Sequence, residues 1–237
     1  MANKTALILG ATGVVGTQLV KEISNSKIYS EIHLLTRRAV KLTDPQCIGH
    51  VVDFDNLSKY ADLFKVTDVF ICLGTTIKKA KSKEAFRKVD YDYVIEAAKM
   101  AKTSNVEKIL VITAMGANSK SKFFYSRVKG DVEGTLQHLA MNTVHIFRPS
   151  LLLGERKEFR AGEKVSGLLS TFAKFVFVGP LRPYRAIEAN KVAAAMYIAA
   201  QTTAKGYHFY DSAEIEELAQ RVTINSDHPN KIDTGFL

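Results

Sequence analysis

Cysteine is scarce in this 237-residue chain. Cys47 and Cys72 are too few for a disulfide framework, and Cys72 lies inside the apolar run VFICLG, where a thiol reads as a small buried hydrophobe. A reducing compartment is the expectation. Long apolar runs are lacking too. The opening MANKTALILGATGVVGTQLV sets a lysine before an apolar stretch as a secretion signal would, but glycines and polar residues interrupt it. No later run has the length to span a bilayer, so a cytoplasmic protein without a transmembrane segment is expected. The six histidines include no HExxH or other paired metal spacing, which leaves no metal site to predict. Zinc-finger spacing, basic heptads and aromatic RNA-binding signatures are equally absent, so specific nucleic-acid binding is not expected.

What remains is an ordinary globular composition, 46% apolar and 24% charged, without low-complexity tracts. The net charge of +9 suits an anionic partner, although TTIKKAKSKEAFRK (75–88) concentrates six of the basic residues and reads as a solvated loop and helix start. The first two thirds repeat one grammar: a short β-branched run, a turn, then an amphipathic stretch. Strands are predicted at 5–10, 31–36, 49–54, 68–74, 108–114 and 143–149, with a short one at 206–210. Helical segments are predicted at 14–24, 56–64, 84–102, 125–139 and 188–201. Most of the strands are continuously apolar, as a sheet covered on both faces requires. Strands alternating with helices predict a single α/β domain built as a doubly wound, Rossmann-like parallel sheet. The looser region at about 150–187 is expected to form a substrate cap on that sheet, and the polar residues 221–237 to be peripheral.

The first strand runs directly into GATGVVG, with Gly10, Gly13 and Gly16 at three-residue intervals. Chance would produce those offsets on the order of 0.05 times in such a chain. Glycines allow a tight turn and close approach of backbone to a pyrophosphate, and the following helix start offers unpaired amides and a positive dipole end. Gly10, Thr12, Gly13, Val14, Val15 and Gly16 are therefore the expected dinucleotide cradle, with a bare structural turn as the alternative. The second strand ends in LLTRRAV, where Arg37 and Arg38 stand in place of an acidic residue for a free ribose hydroxyl. Guanidinium groups suit a 2′-phosphate, so NADP(H) is favoured over NAD(H) unless both arginines merely decorate a solvated loop. Asp53 and Phe54, closing the third strand, are placed to meet the adenine, although Asp53 also reads as a helix or turn cap in DFDN. Leu73, Gly74 and Thr75 end the fourth strand, where the crevice beyond the strand ends collects ligand.

FFYSRVKG (123–130) sets a phenol and an ammonium four positions apart, Tyr125 and Lys129. About one such pair is expected by accident in a chain with this many tyrosines, so spacing alone decides nothing. Context does: the pair falls on the helix after the fifth strand, behind the glycine turn. Positions i and i+4 share a helix face, and an ammonium beside a phenol is expected to lower its titration point from about 10.

Taken together, GATGVVG, DVFICLGTT, VDYDYVIEAAKMAK, ITAMGA, YSRVKGDVE, FRPSLLLGER and GPLRPYRAI resemble the short-chain dehydrogenase/reductase superfamily in its atypical and extended branches. Within it the chain is similar to the Tat-interacting-protein-like oxidoreductases over about residues 5–200. The resemblance implies that Tyr125 and Lys129 form the YxxxK active-site pair and that Thr113 stands where the catalytic serine or threonine is found. It also implies nicotinamide contacts from the backbone at Pro149, Leu151 and Leu152. AMGA after Thr113 and CLGTT after strand four depart from the superfamily's fuller proton relay. The implied activity is NADPH-dependent hydride transfer to or from a carbonyl or alcohol substrate; the alternatives are a non-catalytic NADP(H) sensor, or an epimerase or dehydratase with held cofactor. Arg156, Lys157, Arg160, Arg182 and Arg185 in the cap would favour an anionic substrate. Helices 84–102 and 125–139 offer surfaces for pairing into a homodimer.

Overall fold

The computed structural model describes residues 4–153 and 186–227, the side chains of 222–227 excepted. Seven strands form one sheet: β1 (Lys4–Leu9), β2 (Tyr29–Thr36), β3 (Cys47–Val51), β4 (Asp68–Ile71), β5 (Lys108–Ile112), β6 (Thr143–Phe147) and β9 (Gly206–Tyr210). Their order across the sheet is β3-β2-β1-β4-β5-β6-β9, and every neighbouring pair is parallel. A second, two-stranded ladder joins β7 (Leu152–Leu153) to β8 (Ile187–Glu188).

Period-two alternation within continuously apolar strands covers both faces of the sheet. Ala6 and Ile8 pack with Val15, Leu19 and Ile23 of α1 (Val14–Ser26) and with Val192 and Met196 of the helix Ala189–Gln201. Leu7 and Leu9 pack on the other face with Leu57 and Phe64 of a 3-10 segment (Phe54–Phe64). Val94 and Ala98 of α4 (Tyr93–Thr103) and Val132 and Leu136 of α5 (Phe124–His138) complete that layer. At about 1.5–3 kcal/mol for each large aliphatic side chain taken out of water, these two layers are the main favourable term of folding. The doubly wound sheet is as expected, and the strand order reverses between β2 and β4 on either side of β1. That reversal opens a crevice beyond the carboxyl ends of β1 and β4.

Three features depart from the sequence reading. The segment expected as one helix over 84–102 is α3 (Lys83–Arg87), a π turn (Lys88–Asp92) and α4 in succession. A short helix, α2 (Ile77–Ala80), precedes them inside the basic stretch. The chain after β9 forms a further helix, Ser212–Asp227, begun by reciprocal bonds: Asp211 Oδ1 accepts from the Ala213 and Glu214 amides, and Glu214 Oε2 accepts from the Asp211 amide. Most of the expected cap, with Arg156, Lys157, Arg160, Arg182 and Arg185, lies outside the described residues.

His145 is buried with Nδ1 bonded to the Tyr210 hydroxyl at 2.9 Å, while Nε2 has no hydrogen-bond partner. Burial pushes its imidazole down to about 3, so the ring is neutral.

Two glycines one turn apart on α5 face opposite surroundings. A Cβ on Gly130 would lie 2.1 Å from the Ser119 amide nitrogen, whereas one on Gly134 meets nothing within 4 Å. Gly130→Ala is expected to destabilise the protein by about 3 kcal/mol through overpacking, and Gly134→Ala to stabilise it by about 0.5–1 kcal/mol through helix propensity. Urea unfolding of the two variants measures both; equal effects would contradict the close approach at Gly130.

Candidate active site

The turn after β1 is built on two absent side chains. Gly10 adopts φ +84°, and a Cβ there would sit 2.5 Å from the Cys72 carbonyl oxygen at the end of β4. A Cβ on Gly16 would sit 2.2 Å from the Gly10 carbonyl oxygen. Gly13 differs: its φ of −77° suits any residue, and its nearest neighbour to a Cβ is the Gly10 carbonyl at 3.2 Å. Folding therefore demands glycine at 10 and 16 far more than at 13, where close approach of a ligand is the remaining reason. α1 begins at Val14 without a side-chain cap and without an acidic residue in its first turn, so its leading amides are available to an anion. Thr12 and Gly13 are exposed and Val14 partly so, while the Val15 side chain packs into the core and offers only its amide. This set fits a dinucleotide pyrophosphate.

Arg37 and Arg38 are both exposed just past β2, the loop being pinned by the Thr36 hydroxyl donating to the Arg38 carbonyl at 2.8 Å. Asp53 acts as a cap: its carboxylate accepts from the Asp55 amide at 3.0 Å and from Asn56 Nδ2 at 2.7 Å. The cap alternative for Asp53 is thus what the side chain does, because the 3-10 segment starting at Phe54 leaves amides to satisfy. Phe54 is buried and its ring lies 5.5 Å from that of Tyr93. Leu73 and Thr75 are partly exposed and Gly74 is exposed at the crevice. Past β6, the Pro149 carbonyl accepts from the Met115 amide at 3.0 Å, the Leu151 carbonyl accepts from Ile187, Leu151 is 71% exposed, and Leu152 enters the small ladder.

Tyr125 and Lys129 lie on one face of α5. Tyr125 is 41% exposed, with its ring 5.7 Å from that of Phe86. Lys129 is buried, and its ammonium pairs with Asp90 Oδ1 at 2.8 Å. The other carboxylate oxygen of Asp90 accepts the Thr75 amide at 2.8 Å. One carboxylate thus ties the lysine of the pair to the loop that follows β4, beside the glycine turn. Lys129 does pull the Tyr125 titration point down, as expected, but burial, the largest influence, pushes the phenol up by more and Asp90 opposes the ammonium in part, so the net direction is upward.

Thr113 also departs from its expected part. It is buried, and its hydroxyl donates to Glu133 Oε1 at 2.7 Å. Glu133 in turn receives Arg148 through Nε at 3.0 Å and Nη2 at 2.6 Å. The Thr113 proton is committed to a buried carboxylate, so Thr113 serves as a strut between β5, α5 and β6 and does not stand free to orient a substrate carbonyl. Arg148 anchors the end of β6 to α5 through this carboxylate. Asp90 escaped the sequence reading. VDYDY scans as part of a regular amphipathic helix, and only the extra residue of the π turn directs this aspartate inward.

A family model described as NAD(P)H-binding matches residues 10–145, from the glycine turn to β6. The chain belongs to this NAD(P)H-binding family. Rat (Rattus norvegicus) Protein HTATIP2 is 39% identical over 167 residues, 69% of each chain. The FMP52 protein of Candida albicans, named mitochondrial, is 34% identical over 196 residues, 80% of this chain and 86% of its own. Among solved structures, the Bordetella bronchiseptica enzyme WbmH in complex with NAD+ superposes with a TM-score of 0.66 at 14% identity, covering 97% of this chain and 84% of that one. This last likeness shows the Rossmann-like fold. The cytoplasmic expectation is corrected by the FMP52 relatives, whose names place them in mitochondria. Two free cysteines describe a reducing mitochondrial interior as well as a cytosol, so composition had no power to separate the two. Among the described residues no helix is long and apolar enough to cross a membrane.

The unequal steric demands on the glycines separate folding from binding. Gly16→Ala is expected to cost about 3 kcal/mol of stability, because backbone must shift. Gly13→Ala should melt within a few degrees of wild type yet bind NADPH at least about tenfold more weakly, because a Cβ obstructs the close approach of the phosphates. Thermal melts and a fluorescence titration with NADPH measure both; unchanged binding by Gly13→Ala would remove the pyrophosphate from this turn.

Proposed function

We propose that the protein is an NADPH-dependent oxidoreductase acting on a carbonyl or alcohol, with Tyr125 as the proton-transferring group and Lys129 as its partner. The observation that carries this reading is the buried Lys129–Asp90 pair, which fixes the lysine of a Tyr-x-x-x-Lys face against the loop after β4 at the family's dinucleotide crevice. In this reading the cradle is the turn Gly10–Gly16 with Thr12, Val14 and Val15, flanked by Leu73, Gly74 and Thr75. Phe54 borders the adenine, and the backbone from Pro149 to Leu152 borders the nicotinamide. Arg37 and Arg38 receive a 2′-phosphate through charge-assisted hydrogen bonds. When bound, the nicotinamide supplies the hydride.

The chain's own residues supply the rest. The Tyr125 hydroxyl donates its proton to the carbonyl oxygen as that oxygen gains electron density, leaving a phenolate that solvent reprotonates. The Lys129 ammonium stabilises the transient phenolate across the helix face. Glu133, held by Arg148 and Thr113, braces the helix that carries both groups. The FMP52 relatives extend a mitochondrial location to this chain as part of the same proposal. The commitment of the Thr113 hydroxyl to Glu133 favours a second reading, a dinucleotide-sensing protein without turnover.

A panel of aldehydes and ketones with NADPH, followed by loss of NADPH absorbance, separates the two. Tyr125→Phe is expected to lower kcat by about 10²–10⁴-fold while NADPH affinity changes little. Full binding with no turnover by wild type on any substrate would favour the sensor. Arg37→Ala with Arg38→Ala is expected to weaken NADPH binding by about tenfold or more and NADH binding little, since each charge-assisted bond contributes about 1.5–3 kcal/mol. Equal losses for the two dinucleotides would end the NADP(H) preference.

A further inference from the structure

The sequence pattern of a phenol beside an ammonium implies an easily ionised tyrosine, but the structure adds a third charge. Asp90 is 1% exposed and Lys129 5% at the side chain, and they touch at 2.8 Å. Asp90 is held from both sides, by the ammonium at Oδ1 and by the Thr75 amide at Oδ2. The neighbouring charges on and just before the π turn face elsewhere: Arg87 pairs with Asp92 at 2.8 Å and Lys88 with Asp55 at 2.7 Å. No second cation among the described residues shares Asp90.

Among the described residues, the groups around Tyr125 are few. From its own helix it faces Lys129, from the π turn Asp90, and from α3 the uncharged ring of Phe86. Lys83 of α3 and Arg127 of α5 both lie over the ring of Phe124, at 5.6 and 5.9 Å. Glu133, one turn beyond Lys129, is neutralised by Arg148. Among the described residues, the field at the phenol is therefore that of a buried cation and anion in contact, whose opposed effects at a third point partly offset each other.

We propose that Asp90 is a positioning residue that holds the Lys129 ammonium and offsets part of its charge, so that the Tyr125 hydroxyl is acidified less than a phenol beside a free ammonium would be and the site is built to donate a proton in carbonyl reduction and to take one from an alcohol only in alkali. The balance is simple. The carbonyl carbon gains a hydride from the reduced nicotinamide, which is oxidised. The carbonyl oxygen gains the phenol's proton, and solvent returns that proton to the phenolate. Burial pushes the phenol up, and Asp90 opposes part of the downward pull of Lys129, in the direction this assignment requires. It rests on the oxidoreductase reading given above.

The test is the ionisation of Tyr125 itself in the full chain, read by NMR of isotope-labelled tyrosine and assigned by its loss in Tyr125→Phe. It needs no substrate, so absence of turnover would defeat the oxidoreductase reading without deciding this one. Wild-type Tyr125 is expected to titrate at or above an ordinary tyrosine. In Asp90→Asn the midpoint is expected to fall by about one pH unit or more, because the ammonium then acts unopposed. The alkaline limb of alcohol oxidation should move with it, and Asp90→Glu should restore both. A wild-type midpoint near neutrality, or an unmoved midpoint in folded Asp90→Asn, would overturn the proposal. If Asp90→Asn does not fold, the wild-type titration still decides.

Discussion

Everything at the functional end of this protein depends on how closely the backbone after β1 can approach its neighbours. Gly10 rests against the Cys72 carbonyl and Gly16 against the Gly10 carbonyl, at distances no Cβ could occupy. That contact sets where α1 starts, and so where its unpaired amides point. It also locks the end of β1 to the end of β4, on the side of the strand-order reversal where the crevice opens. A larger residue at either glycine would move the helix, the crevice and the loop carrying Thr75 together.

Buried charge is used sparingly and in closed sets. Asp90 with Lys129, and Glu133 with Arg148 and Thr113, both brace α5 near the carboxyl ends of the strands. A third set lies at the opposite edge, where Asp68 accepts from the Tyr29 hydroxyl at 2.6 Å and pairs with Lys4 at 3.3 Å. Burial pushes the Asp68 carboxyl up, and one of its oxygens has no partner. Buried ion pairs are costly to desolvate, and breaking one member strands the other, so they specify an arrangement more than they add stability. Two of the three sets specify the placement of α5, the helix bearing Tyr125.

The strands were legible because a sheet covered on both faces writes itself as short, continuously apolar runs, and each of the seven falls within a few residues of its predicted place. The glycine turn was legible for a different reason: Gly10 and Gly16 mark positions where side chains cannot exist. The final helix, Ser212–Asp227, was missed although DSAE carries the signature of a capping box in the reciprocal bonds of Asp211 and Glu214. Asp90 was missed for a reason no pattern would repair, since a π turn differs from an α-helix by one residue per turn and leaves no compositional mark. Asp53 had two compatible meanings in sequence, and its cap bonds distinguish what the side chain does.

The order of elements, the glycine turn and the Tyr125–Lys129 spacing were determined by sequence alone, because each depends on interactions between residues near one another along the chain. The charge state favoured at Tyr125, the commitment of Thr113 to Glu133 and the tie from Lys129 through Asp90 to Thr75 were decided by tertiary structure. These contacts join α5 to the π turn and to residues just past the ends of β4 and β5, and the field at a buried group depends on what lies across space from it.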